Sequence, residues 1–317
     1  MTGWLDPPLT AAREVVARAL TEDLGVFGDL TAGLVPSSAK VQATLASRAE
    51  GVLAGRLAAT EAFAAVDPRI VVRWDRADGD RLERGTRIAH VAGPLASVLT
   101  AERTALNLLG HLSGVATMTR RFVDAAGGTE GAVDAAEAAG AEKSGAGASG
   151  RMARIRDTRK TTPGLRALEK AAVRAGGGVN HRASLSEGIL IKDNHLGATT
   201  IGELVATANK RWPGQAVEVE CDTLDQVSQA VTAGADMILL DNMTPAEAAT
   251  VVKAVAGRAL LEVSGRVDLQ SVRAYAEAGV DFISVGALTH SAPVLDIGLD
   301  LSTQAAQPFD RTAEEEA

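Results

Sequence analysis

AVEVECDTLDQVSQAVTAGADMILLDNMTPAEAATVVKAVAG, residues 216–257, carries one pattern twice. A short run rich in Val, Ile and Leu leads through a polar turn into a segment of helical periodicity. The pattern extends in both directions. Upstream, IRDTRK (155–160) precedes LRALEKAAVRAG (165–176), and GILIKDNH (188–195) precedes IGELVATANKRW (201–212). Downstream, ALLEVSG (259–265) precedes LQSVRAYAEAG (269–279), and DFISVGA (281–287) closes the series. Strands alternating with helices across short turns imply a parallel sheet. A recurrence of about twenty residues suits an α/β barrel, incomplete or of the TIM type, better than two separate lobes, with an open doubly wound sheet as the structural alternative. No G-x-G-x-x-G follows any of these strands, which weakens the dinucleotide version of the open sheet.

In such a barrel, functional groups collect where strands end and loops begin. Polar residues stand at those ends here: Arg159 and Lys160, then Lys192, Glu220, Asp241, Ser264 and Gly286. Alternation along AVEVECD puts Glu218 and Glu220 on one face and Val217, Val219 and Cys221 on the other, so Glu220 is expected in the barrel mouth. Singly, each residue has a plain explanation: Asp241 as a helix cap, Lys192 as a solvated end, Ser264-Gly265 as a turn. Repetition on successive strands favours a site. Arg159, Lys160, His181, Arg182 and Lys192 form a dense basic set, and Arg forks match carboxylates and phosphates. Glu220 and Asp241 are its acidic counterpart. Such a pair can hold sugar hydroxyls, or a divalent cation already carried by a pyrophosphate, or simply neutralise the basic set. Glycine and serine in SGR (264–266) and SVGALTHS (284–291) offer backbone N–H groups to a phosphate, a weak signal by itself.

Residues 1–112 read as a separate α/β sandwich domain. A helix over Ala11–Leu20 opens it, and β-like segments such as VQATLASRA (41–49) and RIVVRWDRADGD (69–80) follow. DGDRLERGTRIAHVAG (78–93) has the turns of a lipoyl- or biotin-carrier sandwich, but no lysine lies between Lys40 and Lys143 to carry a prosthetic group. A long helix is expected over Pro94–Ala126. The barrel domain then spans 113–290, and a segment at about 291–317 is expected to pack back on the first domain. GGTEGAVDAAEAAGAEKSGAGASG, an insertion at about 127–152, has no bulky apolar residue and is expected to be a mobile loop, as is the tail RTAEEEA.

The chain has 317 residues and a net charge of −8, which argues against nucleic-acid or anionic-membrane partners. An anionic ligand would have to be drawn by a local basic cluster. The single cysteine, Cys221, excludes a disulfide framework and a cysteine zinc site. No apolar run is long enough to span a bilayer, and MTGWLDPPLTAAREVV has no basic-then-apolar leader pattern. A soluble protein of the reducing cytoplasm is the expectation.

EDLGVFGDLT (22–31), TAERTALNLLGHLSGVAT (100–117), DTRKTTPGLR (157–166), NHRASLSEGILIKDNH (180–195), VEVE (217–220), LLDNM (239–243), EVSG (262–265) and SVGALTHSAP (284–293) together resemble the quinolinate phosphoribosyltransferase family. The resemblance covers nearly the whole chain. It implies the type II phosphoribosyltransferase fold and transfer of phosphoribosyl to quinolinate with loss of carbon dioxide. It implies a quinolinate pocket of Arg103, Arg159, His181, Arg182 and Lys192. Phosphoribosyl pyrophosphate and its Mg2+ would meet Lys160, Glu220 and Asp241. The 5′-phosphate would meet Ser264, Gly265 and Gly286, with His290 nearby. Arg103 would reach the neighbouring subunit's site, making a homodimer the minimum unit, with a hexamer also open. The 127–152 insertion departs from the family pattern. A nicotinate-specific transferase, a homologue associated with molybdenum uptake and a non-catalytic phosphosugar sensor are the rivals. The dense basic set, Lys192, and the presence of Glu220 and Asp241 respectively stand against them.

Overall fold

The computed structural model describes residues 5–127, 153–197 and 199–302. All but the first residue of the 127–152 insertion, and the tail RTAEEEA, lie outside the described residues. Two compact units divide the chain. The first takes in the residues up to Thr117, Ala167–Ala175 and the segment from Pro293; the second comprises Met118–Arg166 and Gly176–Ala292.

The second unit contains the repeated pattern. Its strands are β6 (Arg154–Arg156), β7 (Ile189–Ile191), β8 (Val217–Cys221), β9 (Met237–Asp241), β10 (Leu260–Ser264) and β11 (Phe282–Ser284). They form one parallel sheet in the order β6-β11-β10-β9-β8-β7. An isolated parallel bridge from Arg156 to Val179 extends pairing beyond β6. One face is aliphatic: Ile155, Val217, Val219, Ile238, Leu240, Leu261, Val263 and Ile283 are all buried. The other carries Arg156, Glu218, Glu262 and Ser284, also largely or wholly buried. Helices α6 (Ile201–Arg211), α7 (Leu224–Ala233) and α8 (Pro245–Val255) follow β7, β8 and β9. Each starts with the same device. Thr200, Thr223 and Thr244 accept the N3 backbone N–H, while Glu203, Gln226 and Glu247 reach back to the cap. That fixes where each loop ends, and so the height of the strand end beneath it. Helix α9 (Val272–Ala278) follows β10, and the short α5 (Asp193–Leu196) and α10 (Ala287–His290) follow β7 and β11.

The first unit holds helices α1 (Leu9–Leu24) and α2 (Arg56–Val66) and a four-stranded sheet, β12-β1-β5-β3. Strands β1 (Lys40–Ser47), β3 (Val71–Trp74) and β5 (Arg87–Pro94) are antiparallel neighbours around β5 and β1. The last strand, β12 (Ile297–Leu301), returns to pair with β1, Leu45 facing Leu299. Strands β2 (Gly51–Val52) and β4 (Arg81–Leu82) form a small ribbon. Helix α3 (Leu95–Ala125) runs through the boundary between the units.

Two boundaries differ from the sequence expectation. The division falls at Thr117–Met118, inside α3, and not at 112–113. Helix α4 (Arg166–Ala175), expected as a barrel helix, joins the first unit through Ala167–Ala175. The reason is polar. Glu169 is 0% exposed and its Oε1 lies 2.8 Å from His111 Nε2 on α3. At the end of α4, Arg174 Nη2 donates to the Asp6 carbonyl at 3.1 Å. A buried carboxylate without such a partner would cost several kcal/mol (about 3–5 on losing a partner), so Glu169 ties α4 to α3.

Small residues let backbone approach backbone. A Cβ on Gly114 of α3 would overlap the Pro293 carbonyl, where the chain returns toward β12. Gly114→Ala is expected to destabilise by about 1–3 kcal/mol through overpacking, read as a lowered melting temperature. Asp78 adds a pH effect. Burial pushes its carboxyl up to about 6, although N–H groups of Gly55 and Arg56 donate to it. The folded state therefore holds the proton more tightly than the unfolded chain. Stability is fully present below the ordinary carboxylate pKa and falls as pH rises through about 6, by on the order of 3 kcal/mol. Asp78→Asn should flatten that part of the stability-versus-pH curve in thermal unfolding.

Candidate active site

The second unit brings its expected site residues to the C-terminal ends of its strands. Asp241 and Ser264 are the last residues of β9 and β10 and are register partners. Glu220 is the penultimate residue of β8. Lys192 follows β7 directly as the N-cap of α5. Gly286 follows β11 as the N-cap of α10. Strand β6 ends at Arg156, earlier than expected, so Arg159 and Lys160 stand on the loop that follows it.

The basic set separates into two groups. Burial and the nearby Arg159 guanidinium hold the Arg182 pKa below its usual value, opposed by the Glu218 carboxylate. Arg182 Nη1 donates to the Gly188 carbonyl at 2.8 Å, which fixes its side chain. Two neighbouring guanidiniums repel unless an anion lies between them. Lys192 Nζ is ion-paired with Glu220 Oε2. At the phosphate end, a Cβ on Gly286 would lie 3.0 Å from His290 Nε2 and 3.3 Å from Lys160 Cδ. Thr289 Oγ1 donates to the Lys160 carbonyl at 2.8 Å, tying the β6 loop to α10. His290 is exposed and its Nδ1 lies 2.7 Å from Ser291 Oγ.

Gly265 has φ +94, a conformation that side-chain-bearing residues rarely adopt, and an added Cβ would overlap the Asn242 side chain. Asn242 itself has φ 55, its N–H donates to the Ser264 carbonyl at 2.9 Å, and its Nδ2 donates to Asp241 Oδ2 at 2.7 Å. The β9 and β10 ends are thus interlocked, with Asp241 oriented by its neighbour.

Beneath the mouth lies a buried polar layer that the strand-end reading did not select. Arg156 Nη1 pairs with Glu262 Oε2, and Ser284 Oγ donates to Glu262 Oε1. His181 Nε2 is 3.0 Å from Glu218 Oε2 and 3.7 Å from Glu262 Oε1. Burial raises the Glu218 carboxyl to about 7 and also raises that of Glu262. Asp157, 0% exposed, accepts the His181 backbone N–H at 2.8 Å and the Asn180 amide at 2.6 Å. The signal was present: alternation that put Glu220 inside also puts Glu218 there, and puts Glu262 with Ser264.

Two sets of side chains offer donors to a cation. His181, Glu218 and Glu262 are the only close group of three His, Cys, Asp or Glu ligand atoms among the described residues. It does not suit a metal, because Arg156 already neutralises Glu262 and the Arg182 N–H occupies His181 Nδ1 at 2.8 Å. Glu220 and Asp241 offer hard oxygens on adjacent strands without a closed cage. That fits Mg2+, which keeps waters and is held by one or two carboxylates together with substrate phosphates.

Arg103 belongs to the first unit. It is exposed on α3 beside a groove with Leu106, Asn107 and Val294–Ile297, and has no hydrogen-bond or ion-pair partner among the described residues.

Cations around two carboxylates at the strand ends of a parallel α/β unit define a barrel enzyme for anionic, phosphorylated substrates. The particular family follows from comparison. The models of the quinolinate phosphoribosyl transferase C-terminal and N-terminal domains match residues 136–300 and 29–113, and the chain belongs to the quinolinate phosphoribosyltransferase family. It is 41% identical over 305 residues to the nicotinate-nucleotide pyrophosphorylase [carboxylating] of Mycobacterium leprae, covering 93% of this chain and 99% of that one. It is 38% identical to the probable enzyme of the same name from Bacillus subtilis, covering 89% and 90%. The solved nicotinate-nucleotide pyrophosphorylase of Francisella tularensis superposes with a TM-score of 0.82 at 36% identity, covering 94% of this chain and 98% of that one.

Gly265→Ala is expected to reduce turnover at least about tenfold, since the added methyl displaces Asn242 and with it Asp241. Steady-state kinetics beside a thermal melt would separate this from unfolding.

Proposed function

We propose that this protein transfers the phosphoribosyl group of phosphoribosyl pyrophosphate to quinolinate with decarboxylation, giving nicotinate mononucleotide, pyrophosphate and carbon dioxide, a step of NAD biosynthesis. The observation that carries the reading is a basic set at the strand ends in a member of this family: Lys192 follows β7 and pairs with Glu220, and Arg182 feels the charge of Arg159. A vicinal dicarboxylate supplies the charge that such a group lacks. In this reading Arg159, His181, Arg182 and Lys192 form the quinolinate pocket. Lys160, Glu220 and Asp241 serve phosphoribosyl pyrophosphate. Ser264, Gly265, Gly286 and His290 receive the 5′-phosphate.

The pyridine nitrogen attacks the anomeric carbon, and the bond to pyrophosphate breaks with its electron pair leaving on oxygen. Glu220 and Asp241 hold the ribose hydroxyls and favour the positive charge that develops on the sugar. Lys160 stabilises the departing charge. Mg2+, held through the pyrophosphate with Glu220 and Asp241 as protein ligands, would supply further neutralisation of the leaving group. The guanidiniums hold the ring so that nitrogen and sugar carbon meet, which lowers the entropic part of the barrier. The new pyridinium then accepts the electron pair of the adjacent ring–carboxylate bond as carbon dioxide leaves, and a proton replaces it on the ring carbon.

Arg103, exposed and unpartnered in its own chain among the described residues, is assigned to the quinolinate pocket of a second copy. A homodimer with shared sites is the working unit, with a hexamer as a larger assembly. The cytoplasm is the proposed compartment, in keeping with a single, buried, unpaired cysteine, Cys221.

The test supplies pure protein with Mg2+, phosphoribosyl pyrophosphate and either quinolinate or nicotinate. Equal amounts of carbon dioxide and pyrophosphate from quinolinate alone are expected; turnover of nicotinate, or binding without turnover, overturns the reading. Arg103→Ala and Lys160→Ala should each lose at least about a hundredfold in activity with unchanged melting curves. Mixing the two variants should restore part of it through sites that combine one intact half from each chain. Full activity of Arg103→Ala alone would refute its assignment.

A further inference from the structure

The buried layer under the mouth shows how the pocket is aimed. Segment 180–182 follows the Val179 bridge and is gripped along its length. Asp157 takes the Asn180 amide at 2.6 Å and the His181 backbone N–H at 2.8 Å. His181 Nδ1 accepts the Arg182 backbone N–H at 2.8 Å. A ring nitrogen that accepts has no proton, so a neutral His181 carries its proton on Nε2. That N–H points at Glu218 Oε2, 3.0 Å away. Both ring nitrogens therefore have partners inside the chain.

We propose that Glu218 is a positioning residue for quinolinate. It holds His181 in the Nε2–H tautomer, and the imidazole in turn anchors the Arg182 backbone from which the guanidinium reaches the ligand. Three features support this. Glu218 is 7% exposed and its Oε1 has no hydrogen-bond partner among the described residues, so the contact of Oε2 with His181 is what holds the group. The neighbouring carboxylates are already occupied: Glu220 pairs with Lys192, and Glu262 with Arg156 and Ser284. Arg182 Nη1 is tied to the Gly188 carbonyl, so a shift of its backbone N–H would swing the remaining donors about a fixed tip. The arrangement has the logic of an outer partner that sets the tautomer of a working histidine, applied to an anion pocket.

The proposal rests on quinolinate being the acceptor, and its test can fail separately. In nitrogen-15 NMR of the free protein, His181 should show a pyrrole-type Nε2 and a pyridine-type Nδ1, and should keep both when quinolinate is added. A doubly protonated ring on quinolinate binding, or the opposite tautomer, overturns the proposal whether or not turnover is seen. In kinetics, Glu218→Ala should raise the quinolinate KM at least about tenfold, a loss of ~1.4 kcal/mol, and leave the phosphoribosyl pyrophosphate KM within about twofold. Glu218→Gln keeps an acceptor for the Nε2–H and should bring the quinolinate KM back to within about threefold of the parent. An unchanged quinolinate KM in the alanine variant, or equal effects on both substrates, would show that Glu218 only supports the fold. If the parent protein ignores quinolinate altogether, the functional reading falls first, and the NMR result still decides the tautomer.

Discussion

A fully buried carboxylate organises the second unit. Glu262, in the middle of β10, is met by the Arg156 guanidinium from β6 and the Ser284 hydroxyl from β11. These three strands are neighbours in the sheet, so one charge links them across their inner face. Arg156 is itself seated over the Phe282 ring, 4.4 Å from its centroid, with Nη1 3.3 Å from Met237 Sδ. Desolvating such a pair is costly, and deleting one member leaves the other stranded, at about 3–5 kcal/mol. The layer is thus a weak source of stability but a strict condition on how the strands pack.

Charge is arranged outward from that layer. Glu262 and Glu218 are buried, His181 spans them, and Arg182 feels the charges of both Arg159 and Glu218. On the next strands Lys192 and Glu220 neutralise each other. In the proposed reaction a dicarboxylate takes over Lys192 and releases Glu220 toward the ribose. The chain's overall charge of −8 does not oppose this, because the cations are gathered at one rim while the nearest acids are already paired. Nearby strain serves the same end. Positive φ at Gly265, Asn242 and Arg266 lets the β9 and β10 loops close over their strand ends and set Asp241.

Much of this was legible beforehand. Period-2 and period-3.6 patterns placed the strands and helices of 155–287, because each unit has one apolar face and an unambiguous turn. Threonine three residues before Glu or Gln caps three helix starts in the structure, a local signal that the strand-and-helix reading did not use. The places of Lys192, Glu220, Asp241, Ser264 and Gly286 at or just after strand ends followed from position alone, since a strand end in a parallel α/β unit is where a polar residue has no packing role. Arg156, Glu218, Glu262 and Ser284 escaped that rule. They sit within strands, where a charge ordinarily argues against burial, and only their mutual pairing makes burial tolerable.

What residues 155–287 determine by themselves is the order of elements, the apolar face of each strand and the roster of groups at the strand ends, because those depend on local periodicity and turn chemistry. What the tertiary structure decided is which charges meet. Glu169 draws α4 to His111 and away from the barrel pattern, Lys192 finds Glu220, and Glu218 finds His181. These partners are far apart along the chain, and each pairing forms only once the strands and helices have packed, a condition that no local stretch of sequence contains.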